Sequence, residues 1–255
     1  IKSLEYLPVG LGDKIKSDGF IRDSSKVNIS KKNNYYGEYT FHFWLWKNYL
    51  DNLEDGWIGF CQYRKFWSNE NCDTRNISLD VFKKTILKNI SEQENKFESI
   101  IGTPMYINQF KLTKFLKKDF FSLIKKPSLI FDKNKRNIKF HFDLMHGKGN
   151  LEKAINLLDQ NDKKDFSEFV NSEVSFNPHN MFICRSKKIL NNYYKSIFPW
   201  LERCEKEFGF NLENYGLKRI YGFLAERYMS YWFRKYTRHT VLPIIFKDLK
   251  DFKTY

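Results

Sequence analysis

The chain is poor in the residues that build special scaffolds. Its 255 residues include 4 cysteines, 6 prolines and 12 glycines. Cys61, Cys72, Cys184 and Cys204 stand far apart, with no CxxC pair and no histidine at zinc-ligand spacing from any of them. That excludes a disulfide framework and a zinc module, and it reads as reduced thiols in a cytoplasmic protein. Proline and glycine are scattered, which excludes linker-rich or collagen-like chains, and no internal repeat is visible. No run approaches about 18 consecutive apolar residues, so no membrane span is expected. Acidic charge is scarce: 30 Asp and Glu face 44 Lys and Arg, a formal charge of +14. The chain opens on Ile1 rather than Met. Removed N-terminal residues are therefore expected, and a leader segment stays open.

Familiar catalytic signatures are missing too. There is no GxxxxGK[ST], GxGxxG, GxSxG or HExxH, which removes the simple nucleoside triphosphatase, dinucleotide, hydrolase and zincin readings. No DxD pair is present to hold a metal on a nucleotide-sugar diphosphate, and no metal site is expected. A lone carboxylate recruiting Mn²⁺ or Mg²⁺ stays open.

What is abundant is aromatic and basic. Aromatics make up 18% of the chain, enough to argue against disorder. Lysine supplies 34 of the 44 basic residues. That excess, beside many Asn, Ile, Phe and Tyr, suits an AT-rich coding sequence, or else a polyanionic partner.

Helical periodicity runs from Lys31 to about Leu50, with Ser30 as its cap. Tyr35, Tyr39, Phe43 and Trp46 form one stripe. Trp57 to Trp67 reads as a strand, 79–91 as a helix and Glu98 to Gly102 as a buried strand. Helices are expected over 109–125, 150–172, 186–208 and 214–238. Asn180 to Cys184 and Val241 to Phe246 read as strands. Strands alternating with helices give an α/β layered domain. We read residues 1–255 as one domain, with about 1–110 as one half and a helical half over about 111–255.

Four clusters place polar groups where chemistry has use for them. Residues 22–33 carry Asp23, Asn28, Ser30 and Asn33 into a helix N-terminus, where backbone N–H groups suit phosphate or ribose hydroxyls, or where Ser30 simply caps the helix. Gly59-Phe60-Cys61-Gln62-Tyr63-Arg64-Lys65-Phe66 ends an apolar strand in Tyr63, Arg64 and Lys65, a place where α/β sheets collect ligand contacts. An arginine there can grip a diphosphate bidentately, or it can be a solvated strand end. Asn177-Pro178-His179-Asn180 precedes a buried strand; its amides and imidazole suit sugar hydroxyls, or merely build the turn. In Lys218 to Arg227, Arg219 and Glu226 share a helical face, as phosphate partner and general base or as a packed ion-pair pattern. Gly222 inside that helix costs about 1 kcal/mol unless something must approach closely. His146, with Asp143 three residues earlier, is an acid–base pair or a satisfied, partly buried histidine.

Taken in order, these segments resemble a bacterial glycosyltransferase family of capsule, exopolysaccharide and O-antigen loci, long catalogued as a domain of unknown function. It includes galactofuranosyltransferases and other hexosyltransferases. The resemblance rests on Asp23, Asn28-Ile29-Ser30-Lys31-Lys32-Asn33, Phe43-Trp44-Leu45-Trp46-Lys47-Asn48, Gly59 to Phe66, His146, Asn180-Met181-Phe182-Ile183, and Arg219-Ile220-Tyr221-Gly222-Phe223-Leu224-Ala225-Glu226-Arg227. Two positions depart from the family pattern: Gln62 stands where it has His, and Lys65 where it has a second Arg. The family's first strand is expected to lie largely before Ile1.

The resemblance implies a GT-A-like, Rossmann-type mixed sheet flanked by helices, with a helical C-terminal part. It also implies a UDP-sugar donor and a glycan or lipid-linked glycan acceptor, reached at the inner face of the cytoplasmic membrane. Within it, Asp23, Asn28, Ser30 and Asn33 hold the nucleoside, and Tyr63, Arg64 and Lys65 the diphosphate. His146, Asn180, Arg219 and Arg227 line the cleft, and Glu226 is the base with Asp143 in reserve. Two rival readings remain: a nucleic-acid-binding protein, disfavoured because the aromatics follow core periods, and an inactive relative serving as an assembly partner, which Gln62 makes worth stating.

Overall fold

The computed structural model describes residues 4–12, 19–109 and 132–252. Its centre is a four-stranded mixed sheet, in the order β3 (Ile58–Gly59), β8 (Phe182–Cys184), β5 (Ser99–Gly102) and β9 (His239–Leu242). β8 is antiparallel to both neighbours, pairing Gly59 with Ile183 and Ile100 with Ile183, while β5 and β9 run parallel from Ser99↔His239 to Gly102↔Leu242. Three strands therefore point one way, and their carboxyl ends meet the amino end of β8. Shorter pairs flank this sheet: β1 (Val9–Gly10) with β2 (Ile21–Arg22), β4 (Lys65–Trp67) with β10 (Ile244–Phe246), and β6 (Met105–Tyr106) with β7 (Ser175–Phe176).

Two long helices carry most of the core. Lys187–Phe208 starts at Ser186, whose hydroxyl accepts the Ile189 amide at 3.3 Å. It turns Leu190, Tyr193, Tyr194, Ile197, Leu201 and Cys204 inward at helical spacing. Ile220–Tyr236 is buried on nearly every side, so it runs through the middle of the helical layer. The aromatic stripe of Tyr39–Asn48 packs against the first of these: Tyr39 and Tyr193 share a hydroxyl contact at 2.5 Å, and Trp46 stacks on Phe198 at 5.4 Å. The mixed sheet flanked by helices and the helical C-terminal part agree with the expected fold class.

Several expected elements break, each for a local reason. The run from Lys31 to Leu50 splits into Asn33–Tyr36 and Tyr39–Asn48, because Gly37 takes φ 59° and ψ −134°, a conformation that ends a helix. Ser30 does not cap it: its hydroxyl donates to Asn28 Oδ1 at 2.9 Å. The strand expected over Trp57 to Trp67 folds back on itself. Gln62 and Lys65 exchange backbone hydrogen bonds at 3.3 and 3.0 Å, leaving Tyr63 and Arg64 as a two-residue hairpin tip. Val241 to Phe246 likewise divides between two sheets at Pro243, which has no N–H to give a ladder.

The helix expected over 79–91 is shorter, Leu79–Thr85, ending where Leu87 donates its amide to Trp67. Residues 150–172 form Asn150–Asn156 and Gln160–Ser172; side chains claim the first helix's end, Trp200 Nε1 on the Ala154 carbonyl and Arg203 Nε on that of Leu157, both at 2.7 Å. The helix expected over 214–238 bends at Arg219 (φ −100°, ψ 24°) into Asn214–Lys218 and Ile220–Tyr236. Sequence reading missed Ile138–His146, started by Asn137, whose side chain accepts the Phe140 amide at 2.9 Å. All but the first residue of the helix expected over 109–125 lies outside the described residues.

Candidate functional site

The amino end of β8 is built from an unusual turn. His179 and Asn180 both have positive φ, 79° and 52°. Asparagine tolerates that region; histidine rarely enters it, and two such residues in succession persist only when surroundings impose them. The surroundings do so here. The His179 amide donates to Glu226 Oε1 at 2.6 Å, and its carbonyl accepts Gln62 Nε2 at 2.6 Å. Its ring Nδ1 lies 3.0 Å from Lys65 Nζ. Asn180 Nδ2 donates to Glu38 Oε1 at 2.9 Å and to the Gly222 carbonyl at 3.1 Å.

Two acids thus hold one turn, Glu38 through the Asn180 side chain and Glu226 through the His179 backbone. Glu38 Oε1 also accepts Gln62 Nε2 at 3.1 Å, and its other oxygen stands 3.7 Å from Arg219. Glu226 Oε2 is ion-paired to Arg227, a fully buried guanidinium that lies over the Phe176 ring at 4.1 Å and meets His141 Nδ1 at 3.2 Å. Lys65 Nζ donates to Gln62 Oε1 at 2.7 Å. The cluster therefore gathers two carboxylates and three cations, just beyond the carboxyl ends of three sheet strands. That is where open α/β sheets place their ligand sites.

Burial and mutual charge govern its titration. Burial pushes the Glu38 carboxyl up, and the nearby Glu226 charge adds to this against the Asn180 hydrogen bond and Arg219. Burial pulls Lys65 down, although Glu38 and Glu226 pull the other way. His179 falls to about 4, through burial and then through the adjacent Lys65 charge. A neutral imidazole and an acid with a raised pKa, tied to the same turn through Gln62 and Asn180, are the kind of groups that acid–base chemistry uses.

Other singled-out residues reach this cluster by different routes. Arg219 lies against Gly37, where any Cβ would collide with its guanidinium, and Gly222 lets the Tyr36 carbonyl pass 3.4 Å from the position of a Cβ. At that distance a Cβ would make an ordinary van der Waals contact, so the packing at Gly222 does not by itself demand a glycine. Asp23, Asn28 and Ser30 lie on the loop that leads into the helical turn before Gly37. Asp23 is buried, accepting the Gly12 amide at 2.8 Å and the Thr40 hydroxyl at 2.5 Å. Asn33 donates to Thr40 Oγ1 and to the Gly37 carbonyl, at 3.2 and 2.9 Å, which connects Asp23 to the Gly37–Arg219 contact. Asn28 binds within its own loop, to Ser24, Lys26 and Ser30.

Tyr63 and Arg64 project from the hairpin tip, exposed, with the guanidinium 4.7 Å from the ring centroid. His146 is buried, stacked on Phe223 at 4.0 Å with Nδ1 3.0 Å from the Gly216 carbonyl. Asp143 pairs with Lys139 at 3.1 Å and accepts the Gly149 amide at 3.1 Å.

Glu38 escaped the sequence reading, and it is the hub. The signal was a glycine and a lone acid, Gly37-Glu38, interrupting an aromatic helical run. The His179 imidazole was noted as a partner for sugar hydroxyls and Gln62 as a departure from the family pattern, but neither was placed in the expected site. Among the described residues no three His, Cys, Asp or Glu side chains converge into a group that could hold a metal ion. No helix among the described residues is long and apolar enough to cross a membrane.

With this geometry in hand, comparisons place the chain. The profile described as Domain of unknown function (DUF4422) matches residues 1–238. No curated protein matches. Among solved structures, the WbbM bifunctional glycosyltransferase apo structure superposes with a TM-score of 0.66 at 19% identity, over 94% of this chain and 42% of that one. The two share a fold, and this chain spans less than half of the other.

Proposed function

This chain belongs to the DUF4422 family, and we propose that it is a glycosyltransferase moving a hexose, galactose or galactofuranose, from a UDP-sugar to a growing surface glycan. The observation that carries this reading is the Glu38–Asn180–His179–Glu226 cluster, hemmed by Lys65, Arg219 and Arg227 at the carboxyl ends of three sheet strands. The fold shared with a glycosyltransferase supports it.

Transfer of a sugar from a nucleoside diphosphate needs the leaving diphosphate stabilised, the acceptor hydroxyl oriented and its proton removed. In this reading Arg64 and Lys65, with Tyr63, meet the diphosphate; an exposed hairpin tip lets Arg64 turn to it without disturbing the core. Asp23, Asn28, Ser30 and Asn33 shape the loop on which the nucleoside rests. Arg219 and Asn180 line the cleft between donor and acceptor, with His146 and Arg227 supporting its floor. Glu226 takes the proton from the acceptor hydroxyl, its carboxylate aimed by the His179 amide and by Arg227. Asp143, already tied to Lys139, is the reserve. A lipid-linked acceptor would bring the basic, aromatic surface to the inner face of the cytoplasmic membrane.

The test is UDP release from UDP-galactose and UDP-glucose in the presence of a glycan acceptor. Glu226→Gln lowers kcat by about a hundredfold or more while Asp143→Asn leaves it within about threefold. The reverse order would transfer the base assignment to Asp143, and no acceptor-dependent UDP release by the wild type would remove the transferase reading.

A further inference from the structure

Asn180 carries a hydrogen-bond acceptor that the protein leaves unused. Its amide orientation is not ambiguous, because Nδ2 sits against two atoms that can only accept from it, Glu38 Oε1 and the Gly222 carbonyl. A flipped amide would put oxygen against oxygen. Oδ1 therefore points the other way, and among the described residues it has no hydrogen-bond partner although it is buried. The residue itself is 6% exposed.

A buried carbonyl oxygen left unpaired is rare and calls for an explanation. The fold goes to unusual lengths to hold this one: two successive left-handed residues, a carboxylate on the Asn180 amide, and a second carboxylate on the preceding backbone N–H. None of these contacts satisfies Oδ1. Together they fix where it points.

We propose that Asn180 Oδ1, its amide held by the Glu38 contact on Nδ2, accepts a hydroxyl of the donor hexose. The chemistry of the atom selects the partner. A carbonyl oxygen needs a donor, which a diphosphate lacks and a sugar hydroxyl supplies. Arg219, one-third exposed and 3.7 Å from Glu38, is the member of the cluster with freedom to yield as the sugar enters. A site built to hydrogen-bond a hydroxyl rejects the analogue lacking it, because its own polar atom is then left unpaired. This inference rests on the nucleotide-sugar reading above.

The experiment is calorimetric binding of UDP, UDP-galactose, UDP-glucose and their monodeoxy hexose analogues to the wild type and to Asn180→Gly. Glycine is chosen because it keeps the positive φ without strain. Asn180→Gly is expected to bind UDP within about twofold of the wild type and to lose about tenfold or more for the preferred UDP-hexose. One deoxy analogue should show that same loss on the wild type and no further loss on the variant, the mark of a direct pair. Independent, multiplying losses would overturn the proposal, as would equal weakening of UDP and UDP-hexose. If Asn180→Gly does not fold by circular dichroism, the wild-type series decides. Every deoxy analogue binding within about twofold of its parent then overturns the proposal. A wild type that binds neither UDP nor UDP-hexose is a different result, and it removes the nucleotide-sugar reading together with this inference.

Discussion

Replacing His42 with Phe exchanges a pH-dependent cost for a fixed one. His42 is 2% exposed, packed against Phe60 at 4.4 Å and Phe182 at 5.3 Å, with Nδ1 2.7 Å from the Tyr194 hydroxyl. Among the described residues no acid stabilises its charged form, and burial pulls it from the ordinary 6.5 to about 3. Below pH 6.5 the unfolded chain binds a proton here that the folded chain refuses. This contribution to stability is therefore complete above 6.5 and is lost as pH falls towards 3. The loss is about 1.4 kcal/mol per pH unit, or about 2 kcal/mol by pH ~5. His42→Phe fills the same aromatic slot but strands the buried Tyr194 hydroxyl, a cost of about 1–3 kcal/mol at neutral pH. Urea unfolding followed by tryptophan fluorescence, at pH ~7.5 and pH ~5, measures both effects. The variant should be the less stable at neutral pH, and the gap should narrow by about 2 kcal/mol in acid. A gap that stays constant between the two pH values would mean His42 titrates normally in the fold, and the burial argument would be wrong.

Two further substitutions test the frame around the cluster. Gly37→Ala places a Cβ against the Arg219 guanidinium at a backbone conformation suited to glycine, and should cost about 1–3 kcal/mol in thermal unfolding. Adding Arg219→Ala should restore part of that loss, and no restoration would mean backbone strain alone is responsible. Asp162 accepts hydrogen bonds from Tyr228, Tyr231 and Tyr236 at 2.6–2.8 Å and from Lys235 at 3.1 Å. Burial opposes its ionisation, but these donors prevail and hold the carboxyl below its ordinary 3.8, so its contribution is present above that pH and lost below it. Asp162→Asn should cost about 2–3 kcal/mol at neutral pH, read as a lower urea midpoint; an unchanged midpoint would show the phenols find water instead.

The layers of this fold were legible wherever a pattern is local. The helical pattern over 186–208 announced a long helix, and Lys187–Phe208 is there. The apolar runs at Ser99–Gly102 and Phe182–Cys184 announced strands, and they pair with each other. What stayed hidden depends on partners far along the chain. Nothing near Asn150–Asn156 reveals that Trp200 and Arg203 close its end. Nothing near Lys65–Trp67 reveals that Ile244–Phe246 will claim it and leave Tyr63-Arg64 as a hairpin tip.

The cluster shows the same division. Asn180, Arg219, Glu226 and Lys65 were candidates by residue type, and the structure gathers them within one network with His179 and Gln62. Glu38 was lost inside an aromatic helix pattern, since only the turn at Gly37 explains why an acid belongs there. Asp143 and His146, three residues apart on one helix, take different partners: Asp143 pairs with Lys139 one turn back on the same helix, and His146 stacks on Phe223.

The most direct test of the glycosyltransferase account is calorimetry of UDP-galactose and UDP with wild type and Arg64→Ala, in EDTA. The account predicts a wild-type Kd in the micromolar range that survives EDTA, weakened about tenfold or more in Arg64→Ala with unchanged thermal stability. No binding of either nucleotide by the folded wild type would contradict the account at its centre. Binding that Arg64→Ala leaves intact would retain the nucleotide and discard the hairpin tip as its diphosphate clamp.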